Sequence, residues 1–74
     1  MDAVPTELGV TREELVRLLG QPTDTSVACF ASGQPMIWKY GDIEYHFDES
    51  ERVWLIYTED ENGDPRVLGK LVGR

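Results

Sequence analysis

The chain is short of the residues that most chemistry requires. Cys29 is its only cysteine. One thiol makes no internal disulfide and no thiolate cluster for zinc. With no basic neighbour in sequence, Cys29 reads as a small buried hydrophobe rather than a nucleophile. Cations are scarce too: seven Lys and Arg stand against fourteen Asp and Glu, for a net charge of −7. That balance excludes the basic patch on which phosphate recognition depends, so no nucleic acid is expected. No apolar run is long enough to span a bilayer, and no membrane partner is expected. The opening Met1-Asp2-Ala3-Val4-Pro5 lacks the basic and apolar regions of a signal peptide, which makes a cytoplasmic location the expectation. There is no Gly-rich phosphate loop, no internal repeat and no long linker. No cofactor is expected.

What is present is enough for one small fold. Seventy-four residues, 41% of them hydrophobic, make a single domain over 1–74. A domain of this size hides only about 60% of its unfolded surface, so its stability is marginal and its core is sensitive to change. The acidic surface favours solubility or association with a basic protein.

The organising stretch is 36–58, which reads as two hairpins sharing a middle strand. Tyr40-Gly41-Asp42-Ile43 is a two-residue turn signal, with Gly41 at the first central position of a type II′ turn. Such a turn sets Tyr40 opposite Ile43, Lys39 opposite Glu44, Trp38 opposite Tyr45, Ile37 opposite His46 and Met36 opposite Phe47. Alternation then places Met36, Trp38, Tyr40, Ile43, Tyr45 and Phe47 on one face. Ile37, Lys39, Glu44 and His46 fall on the other, with Lys39 and Glu44 as an opposite-charge pair. After the polar connection 48–52, strict alternation adds Val53, Leu55 and Tyr57 to the apolar face. It leaves Trp54 and Ile56 beside Ile37 on the outer face. Clustered apolar groups there mark either a surface covered by the chain itself or a contact surface.

Around this centre the elements are shorter. Leu8 tucks inward from a turn containing Pro5, Thr6 and Gly9. Thr11-Arg12-Glu13-Glu14 is a capping box that starts a helix carrying Leu15, Leu18 and Leu19, with Val10 and Leu15 as a staple. Glu13 and Arg17 form an i,i+4 pair, and Gly20 and Pro22 end the helix. Residues 26–30 read as an edge strand and 32–35 as a turn. Asn62-Gly63 favours a type I′ hairpin, returning 67–72 as a last edge strand with Arg66 near Glu59. Pro65 is tolerated only at such an edge. The fold class is α+β: one short N-terminal helix packed on an antiparallel meander of four to five strands, with a small SH3-like barrel as the competing arrangement. The expected core is Leu15, Leu18, Leu19, Trp38, Tyr40, Ile43, Tyr45, Phe47, Val53 and Leu55.

A capped helix ending in Leu19-Gly20-Gln21-Pro22, followed by Trp38-Lys39-Tyr40 and paired strands, resembles the small bacterial outer-membrane assembly lipoproteins of the SmpA/OmlA type. It is similar in layout to the repeats of β-lactamase inhibitory protein and to small immunity-type proteins of bacterial toxin systems. The resemblance covers residues 10–58. It implies an α+β protein-binding scaffold without catalysis. The lipidated cysteine of the lipoproteins has no counterpart at Cys29, so their location is not carried over.

The chemistry-bearing groups are few. His46, the sole histidine, lies near Glu44 and Asp48, and a hydrolase or metal-dependent enzyme centred on it is the alternative reading. The plainer role is a half-exposed sheet residue packed on Ile37 or Trp54. Asp60-x-Asn62-x-Asp64 begins like a calcium loop, but Pro65 replaces the required Gly and Leu71 stands where the bidentate Glu belongs. No catalytic or metal-binding residue is therefore assigned. The expected function is a non-catalytic binding module, an inhibitor or immunity-type protein, that contacts a basic partner through Ile37, Trp54, Ile56, Glu59, Asp60 and Glu61. A homodimer, face to face or through the edge at 67–72, is a further expectation.

Overall fold

The computed structural model describes residues 7–71. Helix α1 (Arg12–Leu19) precedes strands β1 (Asp24–Thr25), β2 (Ile37–Tyr40), β3 (Ile43–Phe47), β4 (Val53–Glu59) and β5 (Pro65–Lys70). The strands form one antiparallel sheet in the order β1-β2-β3-β4-β5. This is the expected α+β meander, with β1 and β5 as its edges rather than a closed barrel.

The helix begins as its sequence dictates. Thr11 Oγ1 accepts from the Glu14 amide at 3.2 Å, and Glu14 Oε1 accepts from the Thr11 amide at 3.1 Å. Gly20 ends it at φ +83°. Only Leu15 of α1 is fully buried. Leu18 and Leu19, expected in the core, are 55% and 42% exposed. One short helix offers the sheet one line of contact, and Leu8, Val10 and Phe30 from the flanking segments pack on the core instead.

The β2–β3 register is the one the Gly41 turn predicts, from Tyr40↔Ile43 to Ile37↔His46. Gly41 sits at φ +64°, the left-handed conformation that this turn needs. The β3–β4 register differs from expectation. Phe47 pairs with Val53, but His46 pairs with Leu55, so Trp54 is an extra residue in a β-bulge. Beyond it every side chain changes face. Ile56 lies opposite Tyr45 and is 2% exposed, not on the outer face. Leu55 and Tyr57, expected inside, stand opposite His46 and Glu44 on the outer face. The core is Leu15, Tyr45, Phe47, Val53 and Ile56, with Trp38, Tyr40 and Ile43 packed against it. Edge-on ring contacts join Trp38 to Phe47 at 5.2 Å and Tyr40 to Tyr45 at 5.4 Å.

The edges are irregular. Strand β1 forms at 24–25, ahead of the 26–30 edge strand the sequence predicts, and 26–30 continues the pairing loosely: Ser26 N donates to Ile37 O at 2.9 Å and Met36 N to Ala28 O at 3.0 Å. Cys29 is exposed there, not buried. Strand β5 contains a second bulge at Leu68, between the pairs Tyr57↔Val67 and Ile56↔Gly69. Pro65 opens it opposite Glu59, and Arg66 faces Thr58. Val72, and the Pro5 and Thr6 turn, lie outside the described residues.

Three five-residue turns share one hydrogen-bond pattern. Each closes with the amide of its first residue donating to the carbonyl of its fifth, and the amide of its fourth donating to the carbonyl of its first: 30–34, 48–52 and 60–64. The fourth residue takes positive φ in all three: Gly33 at +90°, Glu51 at +63° and Gly63 at +83°. The 60–64 turn replaces the two-residue Asn-Gly hairpin expected from sequence. Asp60 Oδ1 accepts from the Asn62 and Asp64 amides at 2.9 and 3.0 Å, which holds the longer form.

Candidate functional site

Two features meet on the surface away from α1. The first is the outer face of the sheet. Its registered rows are Asp24, Lys39, Glu44, Tyr57 and Val67, and Ile37, His46, Leu55 and Lys70. Ile37, Leu55 and Tyr57 are half-buried, and Val67 is 59% exposed. Glu44 ties this face together: its Oε1 lies 3.1 Å from His46 Nε2 and its Oε2 lies 3.9 Å from Lys39 Nζ. The Tyr57 ring stands edge-on to His46 at 6.0 Å. Its hydroxyl is held protonated above the usual tyrosine range, by desolvation first and then by the charges of Glu59 and Glu44.

The second feature is a cleft of about 700 Å³ at the end of the sheet where the β2–β3 and β4–β5 turns lie together. Its carboxylates come from Asp42, Glu44, Glu59, Asp60 and Glu61, against the cations of Lys39 and Arg66. Thr58 Oγ1 donates to Asp42 O at 2.7 Å and joins the two turns. The residues expected to contact a partner divide accordingly. Glu59, Asp60 and Glu61 share the cleft, although one oxygen of Asp60 is committed to its own turn. Ile37 lies on the adjoining face. Trp54 sits in the bulge, half-exposed, with Lys70 Nζ 6.0 Å from its ring and Leu71 N donating to its carbonyl at 2.9 Å. The C-terminal segment therefore takes up part of its surface. Ile56 is removed from the contact surface by the bulge.

Sequence reasoning missed Asp42, Glu44, Leu55, Tyr57 and Val67. Asp42 and Glu44 were legible from the turn register, which fixes the end of the sheet where they stand. Leu55 and Tyr57 were not, because all of 53–57 is apolar or aromatic and alternation there carries no register. His46 occupies the position of a sheet residue between Ile37 and Leu55, paired to Glu44. Among the described residues no group of three or more His, Cys, Asp or Glu is placed to hold a metal ion. Among them, too, no helix is long and apolar enough to cross a membrane.

Comparison with known proteins adds no kinship: no family model, no curated protein and no solved structure matches the chain.

Proposed function

We propose that this chain is a non-catalytic protein-binding module with a basic partner. One observation carries the reading: the acidic cleft adjoins the outer face of the sheet, sharing Lys39 and Glu44 with it, and that face carries Ile37, Leu55, Tyr57 and Val67 among its charged residues. A cation drawn to Asp42, Glu59 and Glu61 would be delivered beside Tyr57 and Val67, with Ile37 and Leu55 in the next row of the same face. Charge of one sign focused in a cleft steers encounter, and apolar contact then slows dissociation. The resemblance of residues 10–58 to the assembly lipoproteins and to β-lactamase inhibitory protein points the same way, and makes an inhibitor or immunity-type protein the specific form of the proposal.

A second copy is the weaker occupant. Face-to-face pairing needs Ile37, Trp54 and Ile56 on one surface, and the edge at 67–72 is the other route. Ile56 is internal and Trp54 is flanked by Lys70 and Leu71. Each copy also brings a charge of −7.

The test is affinity capture from the native host, followed by binding isotherms with Glu59→Lys plus Glu61→Lys, and separately with Leu55→Asp. Asp60 is spared because its carboxylate builds the turn. The reading requires a marked loss of affinity in both variants and weaker binding as salt rises. Unchanged affinity after the double charge reversal would discard the basic partner. Turnover of any substrate that is abolished in His46→Ala would install the enzyme reading in its place.

A further inference from the structure

Two residues break local rules, and they touch each other. Arg12 is the first residue of α1, where the positive end of the helix dipole disfavours a cation. Glu51 stands at φ +63°, in the position that the two equivalent turns give to Gly33 and Gly63. Its backbone is strained there as a glycine would not be. Arg12 Nε donates to Glu51 Oε1 at 3.1 Å. Local costs retained at two positions and joined in one contact point to a feature that the fold needs.

The surroundings of Arg12 explain what that feature is. Its side chain is only 12% exposed. The guanidinium carbon lies 4.0 Å from the centroid of Phe47, 5.4 Å from that of Trp38 and 6.0 Å from that of Phe30. Nη2 donates to the Pro35 carbonyl at 2.6 Å. Nη1 is buried and has no hydrogen-bond partner among the described residues. A group with two anchored nitrogens and a third among ring faces is a planar, weakly hydrated cation that stacks on rings while donating in two fixed directions, a combination that a guanidinium permits and an ammonium does not. A smaller hollow of about 290 Å³, lined by Phe30, Ala31, Ser32, Glu49 and Glu51, adjoins this place and shares Phe30 and Glu51 with it.

We propose that Phe30, Trp38, Phe47, Glu51 and the Pro35 carbonyl form a guanidinium-binding cage, that Arg12 is its built-in occupant, and that a small guanidinium compound takes the cage when the arginine side chain is withdrawn. With Arg12 in place, the cage latches the start of α1 and the 30–34 turn to the sheet. The hollow beside it is the route by which a free cation enters. This inference is independent of the partner-binding reading, since none of the cage residues lines the acidic cleft.

The experiment is chemical rescue of Arg12→Ala with methylguanidinium at millimolar concentrations, far below those that denature. Thermal melting by circular dichroism and the indole resonance of Trp38 are followed together. The expected result is a lowered Tm that rises saturably with methylguanidinium, with a matching shift of the Trp38 signal. Methylammonium leaves both unchanged, the wild type does not respond, and adding Glu51→Gln weakens the rescue at least tenfold. Melting of Arg12→Ala at the wild-type temperature, no saturable response, or equal rescue by methylammonium would overturn the cage. Should Arg12→Ala stay unfolded with and without ligand, Arg12→Lys and Arg12→Met decide. The cage holds a guanidinium and not an ammonium, so it requires both variants to lie below the wild type and the lysine variant to be no more stable than the methionine one. A lysine or methionine variant as stable as the wild type, or a lysine variant more stable than the methionine one, overturns it.

Discussion

Replacing Ile56 and Leu55 by alanine, one at a time, separates the bulged register from simple alternation. Ile56 faces Tyr45 from within the core and is 2% exposed. Truncation removes three methyl or methylene groups, worth about 0.8 kcal/mol each in transfer, or about 2.4 kcal/mol. The unfilled space adds to this, within the range of about 2–5 kcal/mol seen for such core changes. Leu55 lies half-buried on the outer face opposite His46, where the same deletion should cost about 1 kcal/mol or less. A domain of this length has roughly 4–11 kcal/mol to lose, so Ile56→Ala risks unfolding. Ile56→Val, at about 0.5–1.5 kcal/mol, is the graded control. Urea unfolding followed by tryptophan fluorescence reads all three. Each kcal/mol should also lower Tm by about 4–8 °C. Strict alternation along β4 demands the opposite order, with Leu55 costly and Ile56 cheap. A Leu55→Ala variant as destabilised as Ile56→Ala would refute the bulge at Trp54 and the outer face built on it.

Other outcomes follow from the same geometry. Glu51→Gly should be more stable than Glu51→Ala by about 1–2 kcal/mol, because both lose the bond to Arg12 but only glycine relieves the left-handed backbone; equal stabilities by urea unfolding would contradict the strain at φ +63°. Tyr45 is pushed up to about 12, by burial first and then by the carboxylate of Glu7, which accepts from its hydroxyl at 3.4 Å. Its raised value favours folding fully below the unfolded tyrosine value of 10, and that contribution is lost as pH rises toward about 12. Tyrosinate absorbance should therefore appear at higher pH in the folded protein than in urea, and coincident curves would count against the buried phenol. Glu14 is held below its ordinary 4.5 by the amide and hydroxyl of Thr11, so the capping box supports folding above that value and fails as pH falls through the lower folded one. An NMR titration should show the Glu14 inflection move part of the way back up in Thr11→Ala, which removes the hydroxyl and keeps the amide; no movement would remove the hydroxyl as a cause.

The parts of this fold legible in the sequence are those decided over a few residues. Thr11 to Glu14 specify a helix start, because the cap needs a hydroxyl and a carboxylate three positions apart and nothing else. Gly41 specifies a two-residue turn, and that turn alone fixes which residues of β2 and β3 face each other. The acidic end of the sheet was partly legible for the same reason: Glu59, Asp60 and Glu61 follow a strand and precede a turn, so they gather where strands end. The candidate contact face was legible only in part. Ile37 came from the Gly41 register, while Leu55, Tyr57 and Val67 required the β4 register.

Tertiary structure decided what the local pattern left degenerate. Val53 to Tyr57 is apolar at every position, so burial on either face costs the sequence nothing until the rest of the core is present. Insertion of Trp54 as a bulge brings Val53 and Ile56 to the same side, against Phe47 and Tyr45, and sends Leu55 outward. The choice rests on packing between segments, which period-two alternation does not encode. The same holds for Leu18 and Leu19, displaced from the core by Leu8, Val10 and Phe30. Arg12 is the clearest case. By composition it is one of seven cations expected in solvent, and its position at a helix start argues against it. Only the assembled fold, which brings Phe30, Trp38, Phe47 and Glu51 around it from separate parts of the chain, supplies the rings and the carboxylate that make its burial favourable.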